Sequence, residues 1–194
     1  MRAGSLALKK QLQEALVKDR KVARAMDAKA KEHFDQAKNR MLSEFDSHPV
    51  TVALQTGSTG GLISKGSLFG FLGFAEGEDP VAQLRSVLQA KCVLKPQLRK
   101  PRQTTRNYLA VIPTKDELYM ATPLPWANGR SWLKAIEFGI SGIGNYMPVK
   151  SPSSRSGEGI QSKNNSGGRF RNTSYISTIL NNFKKNLSTE GVKF

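Results

Sequence analysis

From Ser5 to Phe45 apolar residues return at helical intervals: Leu12, Leu16, Ala23, Met26, Ala30, Phe34, Ala37, Met41 and Phe45. This spacing predicts one long amphipathic helix. Asp19 falls inside the stripe, so the first turns are expected to project away from the core. The opposite face carries Lys and Arg interleaved with Glu14, Asp27, Glu32 and Asp35, the pattern of a solvated face. No second helix of matching length follows, so part of the stripe needs a partner from elsewhere. Asp46-Ser-His-Pro49 ends the helix, because the residue before a proline avoids helical angles.

The middle of the chain reads as short elements. Val50–Gln55 suits a short strand. The glycine-rich loop Thr56–Ser67 invites comparison with a phosphate-binding loop, but Lys65 precedes Gly66 and Ser67 stands where that motif needs its lysine. Leu68-Phe-Gly-Phe-Leu-Gly-Phe74 suits a buried strand or a tight packing turn. Asp79-Pro80 opens a helix to about Lys91, with a cap followed by proline at the first helical position. The acids Glu76, Glu78 and Asp79 fit that helix start better than acid–base catalysis. Asn107–Ile112 and Leu118–Thr122 read as a hairpin around Pro113–Glu117.

Gly129–Met147 reads as a helix, with Trp132, Ile136, Ile140 and Ile143 on one face and Asn128 or Ser131 as its cap. Gly139, Gly142 and Gly144 each cost about 1 kcal/mol relative to Ala inside a helix. Two readings stand: an ordinary core helix with a frayed end, or a helix fitted tightly against its own chain or another copy. Trp132, Ile136, Gly139, Ile140, Gly142, Ile143 and Gly144, with Phe170, are therefore the candidate subunit-contact residues. Val149–Gly168 is mostly Ser, Gly, Asn and Lys, and predicts a polar arm. A last amphipathic helix, capped by Asn172 or Thr173, places Ile176, Ile179, Leu180, Phe183 and Leu187 on one side.

Thirty Lys and Arg against fifteen Asp and Glu leave a formal charge of +15, which bears on partners rather than fold. The lone Cys92 excludes an intramolecular disulfide and a multi-cysteine zinc site, and His33 and His48 are too few to build one without carboxylates. No nucleophile elbow or dinucleotide fingerprint occurs. A non-enzymatic protein with no cofactor and no metal is the expectation. No signal peptide is read at the start, and the apolar run Leu68–Ala75 is too short to span a bilayer, so a soluble, non-secreted protein without membrane contact is expected.

Beyond the N-terminal helix, two basic segments are candidate partner contacts. Lys91–Lys115 holds seven Lys or Arg and no acid. The candidate partner contacts are Lys95, Arg99, Lys100, Arg102 and Arg106 there, and Arg155, Lys163, Arg169 and Arg171 further on. Such residues contact nucleic-acid phosphates, with Phe170 placed to stack on a base, or dock on acidic protein surfaces. No helix-turn-helix, zinc finger or ribonucleoprotein signature accompanies them.

Several phrases resemble virion structural proteins of tailed bacteriophages, of the head–tail neck and tail completion type. The carriers are His48-Pro-Val-Thr51, Gly66-Ser-Leu-Phe-Gly-Phe-Leu-Gly-Phe74, Gly77-Glu-Asp-Pro80, the run from Gly129 to Gly144, Ser154-Arg-Ser-Gly157 and the run from Gly168 to Ser177. The resemblance implies a ring-forming protein at the head–tail junction or tail of a virion, made in the host cytoplasm. Its implied partners are copies of itself, neighbouring portal, adaptor or tail-tube proteins, and DNA passing without specific contact. The short Gly-x-Leu-x-x-Ser phrase of that group is only loosely echoed by Gly60-Gly-Leu-Ile-Ser64, which leaves open the choice among adaptor, stopper, terminator and completion protein.

The expected fold class is α+β: a long N-terminal helix (1–47), an α+β core with a small antiparallel sheet (48–148), a polar arm (149–168) and a C-terminal helix with its tail (169–194), all in one domain.

Overall fold

The computed structural model describes residues 2–57, 67–98, 105–138 and 175–189. The chain is α+β. In order, the described residues form α1 (Arg2–Lys18), α2 (Arg20–Asp46), α3 (Pro49–Gln55), α4 (Leu68–Phe71), α5 (Pro80–Lys91), β1 (Val93–Pro96), β2 (Tyr108–Val111), α6 (Lys115–Met120), β3 (Pro123–Leu124), β4 (Ala127–Ser131), α7 (Trp132–Phe138) and α8 (Ile176–Thr189). β1 pairs antiparallel with β2, and β3 with β4. Two compact units divide these elements.

The first unit takes the described residues up to Arg40, those of Cys92–Ile112, and those from Phe183 onward. The expected single long helix is two helices, parted at Asp19. The cause is local: Asp19 Oδ1 accepts from the amides of Lys21 at 2.7 Å and Val22 at 3.1 Å, so this side chain caps α2. Phe34 and Ala37 on α2 are buried, with Phe183 edge-on to Phe34 at 5.8 Å between ring centres. The ribbon sets Val93 opposite Val111 and Pro96 opposite Tyr108.

The second unit takes Met41–Lys91 and the described residues of 113–182. Its core includes Phe45, Leu54, Leu72, Leu84, Leu88, Leu118, Trp132, Leu133, Tyr175 and Ile179. The strand expected at Val50–Gln55 is the helix α3. Pro49 sits in its first turn rather than merely ending the previous helix, and His48 Nδ1 accepts from the Val50 amide at 3.2 Å. Thr51 Oγ1 and Tyr175 Oη share a buried hydrogen bond of 2.6 Å, and the Tyr175 ring packs against both Phe45 and His48.

The hairpin expected across Pro113–Glu117 is absent too. Thr114 and Glu117 form a reciprocal capping box that starts α6, leaving β2 to pair backwards with β1. Leu68–Phe71 is a single helical turn capped by Ser67, followed by a turn at Gly73 with φ +80°. Gly129 belongs to β4 at φ +73°, so the expected helix starts only at Trp132, where the Lys134 amide donates to Ser131 Oγ at 3.1 Å. α5 follows its sequence reading: Asp79 Oδ1 accepts from the Val81 and Ala82 amides. α8 likewise buries Ile176, Ile179, Leu180, Phe183 and Leu187. Among the described residues no helix is long and apolar enough to cross a membrane.

Candidate interaction surfaces

α1 stands out within the first unit. Leu8, Leu12 and Leu16 follow at four-residue steps and so share one side of the helix. All three are exposed, at 68%, 61% and 48%, and Leu6 nearby is also exposed. Lys9 and Lys10 are exposed beside them. An apolar row on a solvated helix is the pattern that peptide-in-groove recognition uses. The sequence stripe marked Leu12 and Leu16 as apolar positions, and Asp19 within it pointed to first turns that project away from the core, in keeping with these exposures.

The basic ribbon lies in the same unit. Arg106 donates from Nε and Nη2 to the two oxygens of Asp27 on α2, both at 2.6 Å, and Tyr108 Oη donates to Asp27 Oδ1 at 2.7 Å. The Arg106 hydrogen bond holds the Asp27 carboxyl below its ordinary value, while burial and the Asp27 hydrogen bond push Tyr108 up to about 12. Of the basic candidates, Arg106 is thus already engaged, whereas Lys95 is exposed on β1.

Between α2 and the ribbon runs a groove of about 430 Å³, walled by Phe34, Leu94, Pro96 and Tyr108. Its charges are satisfied locally: Lys31 pairs with Asp35, and Lys38 Nζ donates to the Cys92 carbonyl at 2.9 Å. Cys92 itself is fully buried, and burial pushes its thiol up to about 11. A thiol that remains protonated at neutral pH is a poor nucleophile.

Trp132 and Ile136, expected at a core or a subunit contact, are buried in the second unit, at 1% and 3% exposure. Phe74 meets Trp132 edge-on at 6.5 Å. Glu137, a buried acid one residue on, accepts from the Ser177 amide in the first turn of α8, a structural use of the carboxylate. Gly139, Ile140, Gly142, Ile143, Gly144, Phe170, Arg99, Lys100, Arg102, Arg155, Lys163, Arg169 and Arg171 lie outside the described residues, as does the polar arm. Among the described residues no three of His, Cys, Asp and Glu gather to hold a metal ion.

Comparison with known protein families, curated proteins and solved structures finds no match.

Proposed function

We propose that this chain is a non-enzymatic structural protein of a tailed-bacteriophage virion, working as a ring of copies in the head–tail connector. The observation that carries the assembly reading is the exposed leucine row of α1. Apolar side chains aligned on a helix face favour a partner surface, because each leaves water when that surface arrives. The phrases from His48 to Ser177 that resemble neck and tail completion proteins supply the setting. A ring of identical subunits needs heterologous contacts, one surface of each copy meeting a different surface of the next, and α1 supplies one such surface.

The runner-up is a basic nucleic-acid-binding protein, favoured by the +15 charge. It loses Arg106, whose guanidinium is engaged by Asp27. Particles produced without this chain distinguish the two. Full heads and finished tails that fail to join are the expected result. Normal joined virions, together with tight and steeply salt-dependent binding of the isolated chain to DNA or RNA, would overturn the connector reading.

A further inference from the structure

The first unit carries two apolar surfaces that meet water: the leucine row of α1 and the groove between α2 and the ribbon. They match in length. Leu8 to Leu16 covers about 12 Å of helix axis. The groove floor is one face of α2, where Asp27, Lys31, Phe34 and Lys38 follow at steps of four, three and four over about 16 Å. The far wall is one face of the ribbon: Leu94 and Pro96 stand two residues apart on β1, with Tyr108 opposite Pro96. Leu94 and Tyr108 are half-buried and Pro96 is exposed.

The groove's charges suit an apolar occupant. Arg106 and Tyr108 hold Asp27, Lys31 holds Asp35, and Lys38 donates to the Cys92 carbonyl. A leucine entering there leaves no ion buried without its partner, the main cost of covering a charged groove. Asp27 and Asp35 also keep part of their surface in water, and Lys9 adjoins the leucine row on α1, so opposite charges meet at the rim.

The row does not fill the groove of its own chain. Its leucines are exposed in the folded molecule, and only Asp19 parts α1 from α2. Two helices that fold back on each other take a loop of roughly two to five residues. A second copy has no such constraint. Pairing two α1 rows with each other would close at a dimer and leave both grooves open, whereas row into groove joins different surfaces and repeats from copy to copy.

We propose that the α1 leucine row of one copy seats in the α2–ribbon groove of the next. The proposal rests on α1 being the assembly surface of the ring, and it names the surface that α1 meets.

The test uses the full chain and two variants. Leu8→Gln/Leu12→Gln/Leu16→Gln removes the row and keeps the groove, while Leu94→Gln/Pro96→Lys spoils the groove and keeps the row. Sedimentation across a dilution series should show the parent chain associating and each variant alone weakened at least about tenfold. An equimolar mixture of the two variants should form a pair and stop there, because one intact row and one intact groove remain between them. Thermal melts check both folds, and Pro96→Lys alone, at an exposed position, decides the question if the double variant unfolds. A parent chain that stays monomeric, a groove variant that associates as the parent does, or a mixture that fails to pair would overturn the proposal. Any of these leaves the connector reading standing where particles still require the row. A mixture that pairs, together with virions that join without the chain, would instead uphold the contact and remove the connector reading.

Discussion

Arg106 faces Asp27 side-on, each of two guanidinium nitrogens 2.6 Å from its own carboxylate oxygen, and so ties the ribbon strand β2 to helix α2. The Asp27 carboxyl is held below its ordinary 3.8, first by the Arg106 hydrogen bond. A depressed carboxylate contributes stability that is complete above the unfolded value and lost as pH falls through the folded one. The side chains keep 26% and 40% of their surface, so solvent screening limits Asp27→Asn to about 0.5–1 kcal/mol near neutral pH. Urea titrations should show that gap close as the pH falls below 3.8 and through the depressed folded value. A gap that is constant with pH would assign the loss to packing instead.

His48 gives a second acid-sensitive point, for a different reason. Burial lowers its pKa below 6.5, and its Nδ1 must be unprotonated to accept from the Val50 amide at the start of α3. The sign is that of a depressed group: stability is present above about pH 6.5 and falls as the pH drops through the folded value. His48→Ala should cost about 1 kcal/mol at pH 7.5, as for loss of other N-caps, and less at pH 5. Denaturant unfolding of the two proteins at both pH values decides this. An unchanged difference would mean that the imidazole does not act as a cap.

What the sequence made legible follows the reach of each interaction. Asp79 and Pro80 announce α5 within two residues, and α8 shows its apolar side at Ile176, Ile179, Leu180, Phe183 and Leu187. Short apolar runs are ambiguous. Val50–Gln55 has the β-branched content of a strand, and only the use of Pro49 as a first-turn residue makes it a helix. Thr114 and Glu117 stand in the sequence at capping-box spacing, a signal that a hairpin reading passes over. The remainder is tertiary. Asp27 and Arg106 are 79 residues apart, and no local pattern pairs them. The seat of Trp126 on Gly73 exists only once the chain has folded.

Ile136 tests the core of the second unit. It is 3% exposed on α7, so truncating it to Ala removes buried methylenes and leaves a void. A loss of about 2–5 kcal/mol is expected for Ile136→Ala, read as a lowered urea midpoint with little change in slope. A midpoint within error of the parent protein would mean that the site collapses freely around the smaller side chain.

The leucine row of α1 calls for the opposite result, stability retained and assembly lost. Leu8, Leu12 and Leu16 lie 68%, 61% and 48% exposed, so replacing all three by Gln removes little burial from the free chain. Gln is a good helix former, and the change in unfolding free energy should stay within about 0.5 kcal/mol. In the assembled state the arithmetic differs. Each leucine fully buried by a partner contributes about 1.5–3 kcal/mol, and even half of that over three positions exceeds about 2 kcal/mol, roughly thirtyfold in affinity. On the connector reading, particles lacking this chain should therefore regain joined heads and tails when supplied with the parent protein and fail to do so with Leu8→Gln/Leu12→Gln/Leu16→Gln. Equal melting curves for the two proteins exclude misfolding as the reason. Full rescue by the triple variant would show that α1 is a solvated helix without a partner, and the connector reading would lose the observation that carries it.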